Sequence, residues 1–136
     1  MTSFVTPLVN RSAAPYVLRN SRNGRLLATS LETAFDSKSR NRGLLGRDRL
    51  QEGAALILAP CSSVHTFFMR FAIDVLFAAR DGRLVKAHHA VRPWRVALGL
   101  GAFAAIELPA GTAAFAEVRP GDLIVLTPGA ADVQGS

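Results

Sequence analysis

Residues 67–77, Phe67-Phe68-Met69-Arg70-Phe71-Ala72-Ile73-Asp74-Val75-Leu76-Phe77, alternate in character. Every odd position holds a large apolar side chain: Phe67, Met69, Phe71, Ile73, Val75 and Phe77. The even positions, Thr66, Phe68, Arg70, Ala72, Asp74 and Leu76, are mixed. Side chains on a strand point alternately to opposite faces, whereas a helix would scatter the odd set around its circumference. Aromatic and β-branched residues also favour a strand. The pattern predicts a central hairpin over residues 64–91 with one apolar face to bury and a second, partly polar face.

Asp81-Gly82 supplies the turn of that hairpin. A two-residue loop sets Phe77 against Lys86 and Val75 against His88, mixing apolar with polar partners. A three-residue loop, Arg80-Asp81-Gly82 with Gly82 at positive φ, sets Phe77 against Val85, Val75 against Ala87, Leu76 against Lys86 and Asp74 against His88. A slip of one residue exchanges the faces, so the hydrophobic match selects the register. The three-residue loop is preferred, and it predicts an Asp74–His88 cross-strand pair on the less apolar face.

The remaining chain reads as short strands separated by turn signals. Residues 1–14 have no sustained period and are expected to form a flexible tail. Tyr16–Arg19 and Arg25–Leu31 are strands about an Asn23-Gly24 turn. Residues 36–42 are polar and predict a short helix capped by Asp36 or Ser37 and ended by Gly43, with Arg40 and Arg42 at the negative end of its dipole. Leu44 and Leu45 turn inward. Ala54–Ala59 is a continuous apolar run, expected as a strand buried on both faces and ended by Pro60. Arg92-Pro93-Trp94-Arg95 is a loop, Val96–Gly101 is ambiguous, and Phe103–Leu108 is a strand. Thr112 caps a helical turn, Pro120-Gly121 centres a type II turn, and Leu123–Leu126 closes the fold before a flexible tail over residues 128–136. About seven strands without a βαβ rhythm predict a mainly β domain over residues 15–127. Its architecture is a compact antiparallel sandwich or a partly closed, jelly-roll-like barrel with one or two short helices.

Composition narrows the classes. A chain of 136 residues with 49% hydrophobic content supports one domain with a real core. No apolar run approaches a membrane span, and residues 1–15 lack the apolar block of a secretory signal. Cys61 is the single cysteine, which excludes an internal disulfide framework and a cysteine-rich zinc site. A cytoplasmic location is expected. The net charge of +6 is carried almost wholly by arginine, the only lysines being Lys38 and Lys86. That balance permits an anionic partner, but the arginines are dispersed and no nucleic-acid motif accompanies them.

Four pieces occur in order: Arg42-Gly43-Leu44-Leu45-Gly46-Arg47; His65-Thr66-Phe67-Phe68-Met69-Arg70-Phe71 with Ile73-Asp74; Asp81-Gly82-Arg83-Leu84-Val85; and Gly121-Asp122 before the closing strand. Together they resemble the bacterial and archaeal family labelled domain of unknown function 192, over roughly Leu26 to Leu126. The resemblance implies a small, mainly β, jelly-roll-like domain with a short helix and no settled activity. Ala72 departs from it, since the family commonly places proline there.

Several side chains could carry chemistry. Cys61 and His65, four apart, could pair as nucleophile and base, although no orienting third residue or glycine-rich oxyanion loop is visible. His65, His88 and His89 could join Asp74, but His88 and His89 point to opposite faces, so at most one does. This leaves a thin metal site, and a hydrogen-bonded pair satisfying polar groups at the sheet is the simpler reading. Arg70 could grip an anion or form an internal salt bridge with Asp74. Arg40, Arg42, Arg47 and Arg49 are the densest basic cluster. Trp94 could be core or a partner-binding anchor. The leading expectation is a binding or accessory module. His65, Thr66, Arg70, Asp74 and His88, with Trp94 nearby, would hold a small anionic ligand or a partner segment. No cofactor or metal is implied. A hydrolase or transferase using Cys61 or the Asp74/His88 pair, and weak nucleic-acid binding through Arg40–Arg49, are the alternatives.

Overall fold

The computed structural model describes residues 2–10 and 15–129. Among these, ten strands and three short helices occur in the order α1 (Thr6–Asn10), β1 (Tyr16–Asn20), β2 (Leu26–Ala28), β3 (Ser30–Ala34), α2 (Ser37–Arg42), β4 (Ala54–Leu58), β5 (Ser63–His65), β6 (Ile73–Ala78), β7 (Leu84–Val91), β8 (Val96–Leu98), β9 (Ala104–Pro109), α3 (Thr112–Phe115) and β10 (Ile124–Pro128). The fold is mainly β and sandwich-like, and among the described residues no sheet closes into a barrel.

Three layers account for the burial. The middle layer is a five-stranded sheet in the order β3-β4-β9-β6-β7, antiparallel except for the β3/β4 pair. A three-stranded sheet, β10-β1-β2, covers one face. Leu18, Leu27 and Ala28 there meet Ile57, Leu76 and Ile106 of the middle sheet in one core cluster. On the other face, Leu58, Val75 and Phe77 meet Val64 of β5, Ala97 of β8 and Leu44 beyond α2 in a second cluster. The strands β5 and β8 form a small ribbon of their own. Gly99 lets this layer sit close, because a Cβ there would strike the Phe77 ring. β4 has the expected double burial, and β6 and β9 share it along their whole length.

This third layer revises the expected hairpin. β6 begins only at Ile73, and residues 66–72 form a turn and loop. The face foreseen as polar is sealed too, on the side of the first core cluster, where Leu76 packs and Asp74 is wholly buried beside α3. The register is also corrected. At the turn the three-residue loop holds, with Gly82 at φ +94° and Ala78 opposite Leu84. An extra residue, Val85, then shifts the ladder, so Phe77 opposes Lys86 and Val75 opposes His88. The expected Asp74–His88 pair does not form, because these side chains lie on opposite faces. The cause lies on β7, an edge strand free to bulge. Its first residue is tied outside the sheet, Leu84 N donating to Asp122 O at 2.7 Å. A second irregularity near Ala90 (φ +49°) returns Ile73 to Val91.

Other local expectations fare variously. α2 is capped as expected, Asp36 accepting from Ser39 N at 2.7 Å, with Gly43 at positive φ. Pro120-Gly121 forms its turn, closed by Asp122 N donating to Arg119 O at 3.0 Å. Arg25–Leu31 is not one strand: the chain leaves β2 at Thr29 and enters a different sheet as β3. The N-terminal residues, expected as a loose tail, instead bury Val5 in the first core cluster, with Phe4 and Leu8 packed beside it. Residues 11–14 lie outside the described residues. The last strand runs to Pro128, and residues 130–136 of the expected C-terminal tail also lie outside them.

Candidate functional site

The side chains singled out from the sequence separate into a buried set and a displayed set. Asp74 belongs to the first. Its carboxylate accepts from the backbone N–H of Ala90 (2.8 Å), Gly111 (3.0 Å) and Ala113 (2.8 Å). It caps α3, whose first turn was expected to be capped by Thr112 and has no side-chain cap of its own. His88 points to the opposite face, where its ring meets the Phe77 edge and Nε2 lies 3.0 Å from Leu98 O. Arg70 pairs with Asp48 at 2.6 Å, not with Asp74. Both partners are largely solvated, so the pair adds little stability. His89 is exposed.

His65, Thr66 and Trp94 do come together, at the outer end of the β5–β8 ribbon. Thr66 is the knot. Its hydroxyl donates to Arg92 O (2.7 Å) and accepts from Arg95 N (2.9 Å), while its own N–H donates to Arg95 O (2.8 Å) and its carbonyl accepts from Trp94 N (3.0 Å) and Met69 N (3.1 Å). These bonds lock the 66–69 turn to the 92–95 loop. Both segments then turn through left-handed backbone at an aromatic residue: Phe68 at φ +66° and Trp94 at φ +69°. Such a conformation costs a non-glycine residue roughly 1–3 kcal/mol. The result is an aromatic crest. His65 stacks on Phe67 (4.9 Å), Phe67 meets Trp94 (5.9 Å), and Trp94 meets Phe68 (4.6 Å). Phe68 is 71% and Trp94 56% exposed, and Val96 and Leu98 extend the apolar surface along β8. Arg92 and Arg95 flank it, both exposed.

Beside the crest, below α2, lies a cavity of about 380 Å³ whose lining includes Arg40, Arg42, Cys61, His65, Met69 and Glu107. Glu107 was not singled out from the sequence. It stands on β9 opposite Leu56 and Val75, is 3% exposed, and its Oε1 has no hydrogen-bond partner. Burial pushes its carboxyl up to about 7, against the milder opposing influence of Arg47. The available signal was a lone acid inside the apolar strand Ala104-Ala105-Ile106-Glu107-Leu108. Cys61 shares the cavity, but burial pushes its thiol up and Sγ donates to Ser63 O at 3.1 Å. His65 Nδ1 accepts from Phe67 N at 3.2 Å, which leaves the proton of a neutral ring on Nε2. The basic cluster is divided: Arg47 forms a two-bond fork on Glu32 (2.8 and 2.9 Å) and Arg40 donates to Ala59 O (3.3 Å), whereas Arg42 and Arg49 face solvent. Among the described residues no three of His, Cys, Asp and Glu converge as metal ligands, and no helix is long and apolar enough to cross a membrane.

The fold and its displayed loops define a small, mainly β sandwich domain with an aromatic crest at one end. Residues 18–126 match the model of domain of unknown function 192, described as "Uncharacterized ACR", and the chain belongs to that family. Two solved structures resemble it. One is a Sinorhizobium meliloti protein provisionally described as a transcription regulator, with TM-score 0.71 and 23% identity over 82% of this chain and 91% of that one. The other is a protein of unknown function from Novosphingobium aromaticivorans, with TM-score 0.70 and 20% identity over 84% of this chain and 87% of that one. At these identities the likeness shows the fold. No curated protein matches the sequence.

Proposed function

We propose that the protein is a binding module whose aromatic crest, Phe67, Phe68 and Trp94 with His65 beneath, takes a segment of a partner protein. The observation that carries this reading is the pair of left-handed aromatic residues held out in water by a wholly buried threonine. A core aromatic would gain by turning inward, where burial stabilises a large side chain by roughly 1.5–3 kcal/mol. Here the hydrogen-bond lock works in the other direction. Exposed aromatics on a rigid support are what a partner uses as anchors. Arg92 and Arg95 at the margin favour a segment with acidic residues beside an apolar one.

The rival chemistries find less in the geometry. A nucleophilic Cys61 needs a lowered pKa, and its burial acts the opposite way. A polyanion would meet Arg42 and Arg49, while Arg47 is held by Glu32. Selection of a displayed random-peptide library on the immobilised chain tests the crest. The expected peptides carry an aromatic or aliphatic anchor beside Asp or Glu, and their affinity falls at least tenfold for Phe68→Ser and for Trp94→Ala at unchanged thermal midpoint. Equal binding to the wild type and both variants would assign the peptides to another surface.

A further inference from the structure

We propose that the cavity below α2 is a binding site for a small apolar amino acid, its ammonium on Glu107, its carboxylate between Arg40 and Arg42, and its side chain against Leu58, Val64 and Met69. The site is separate from the crest reading and stands or falls without it.

A carboxyl that is 97% removed from solvent normally has both oxygens hydrogen-bonded, because leaving a buried polar atom unmatched costs roughly 1–3 kcal/mol or more. Glu107 keeps Oε1 unmatched, and the residue is part of the cavity lining. Removing the charge from the strand would be simple, since the residues opposite on both neighbouring strands, Leu56 and Val75, are apolar. A group that would complete Oε1 is a hydrogen-bond donor brought by a ligand, and an ammonium is the strongest complement to a carboxylate.

The other end of the cavity specifies the rest of the ligand. Arg40 and Arg42 stand on its rim from the last turn of α2, and Arg42 has its guanidinium in solvent. A guanidinium there suits a carboxylate. An acid docked directly on Glu107 would set like charges together once Glu107 ionises, so the anion belongs at the rim and the donor at the base. The wall between them is apolar, with Leu58 and Met69 buried in the second core cluster. One cation-bearing end, one anion-bearing end and an apolar body describe an amino acid with a hydrocarbon or thioether side chain. A volume of about 380 Å³ admits a molecule of that size.

Binding must then depend on pH. The charged and titratable groups around Glu107 are Arg40, Arg42, Cys61 and His65 in the cavity lining, and Arg47, whose charge opposes the rise of the Glu107 carboxyl. Free Glu107 is half protonated at about pH 7, and an ammonium selects its ionised form, releasing the proton to solvent. Affinity therefore rises about tenfold from pH 6 to pH 8, following the ionised fraction.

Calorimetric titration of the full chain with L-leucine, L-methionine and L-phenylalanine tests the site, with isocaproate and isoamylamine as leucine analogues lacking the amine and the carboxylate. At least one amino acid is expected to bind, with each single-function analogue of leucine at least tenfold weaker than leucine or undetectable. Glu107→Gln, close in shape, should weaken the bound amino acid at least tenfold and flatten any residual binding between pH 6 and 8. Arg42→Ala, on the solvated rim, should weaken it at least tenfold with the fold intact. Failure of all three amino acids to bind the wild type, or retention of affinity in both variants, would overturn the proposal, as would a pH dependence that survives Glu107→Gln.

Discussion

Asp74 shows how one buried charge can be structural. It was expected to face a ligand or His88, yet its oxygens accept from three backbone N–H groups, one on β7 and two at the start of α3. Asp74→Ala leaves those donors unmatched inside the protein and should cost about 3–5 kcal/mol in urea denaturation; a loss below about 1 kcal/mol would contradict the role. Glu107 is the opposite case, a buried carboxyl with no such cradle. Its folded pKa is raised from 4.5 to about 7, so the folded state holds its proton more tightly than the unfolded chain. The resulting stabilisation is fully present below pH 4.5 and is lost as pH rises through 7, a total of about 3 kcal/mol. Glu107→Gln should remove this contribution to the slope of stability between pH 4.5 and 7. Chemical denaturation of both proteins across that range measures the difference. Asp122 contributes with the reverse sign. Burial alone would raise its carboxyl, but bonds from Arg22, Arg119 N and Asn20 outweigh that and hold it below the usual range.

The short ribbon β5–β8 is the element on which the crest depends. Thr66→Val keeps the shape of the side chain and removes its hydroxyl, leaving Arg92 O without that donor and Arg95 N without its acceptor. A loss of about 1–3 kcal/mol is expected, together with faster hydrogen exchange at the Trp94 and Met69 amides, which Thr66 O accepts. Unchanged exchange at both amides would mean that the two loops hold their shape without the lock. Local signals in the chain identify several elements well. Asp36 and Gly43 mark the ends of α2, Gly82 marks the hairpin turn, and the apolar run 54–58 marks a doubly buried strand. Alternation also identifies Ile73, Val75 and Phe77 as one buried stripe. It misleads at Phe67 and Phe68, because an apolar residue turned outward by a loop carries the same letter as one turned inward by a strand. The third layer was hidden for a related reason: β5 and β8 have three residues each, too few to show a period.

The molecule as a whole is a central sheet covered twice, and both covers use chain ends or loops that look dispensable in the sequence. The N-terminal segment is one such cover. Val5 is 2% exposed, and Phe4 N donates to Arg80 O at 2.9 Å. Removing residues 1–8 uncovers part of the first core cluster and should lower stability by about 2–4 kcal/mol, measured by the urea midpoint; an unchanged midpoint would show that the segment does not dock in solution. The candidate site was partly legible. His65 and Trp94 were chosen as polar and aromatic outliers and are joined through Phe67, whereas Arg70, Asp74 and His88 were grouped by a regular strand that begins only at Ile73.

The claim that the crest stands in water, held there by Thr66, is open to one direct measurement, since Trp94 is the only tryptophan of the chain. Acrylamide quenching of native-state fluorescence should approach the rate found for the urea-unfolded chain, with an emission maximum close to that of a solvated indole. A blue-shifted emission protected from acrylamide would place Trp94 in a core and remove the surface on which the binding role rests.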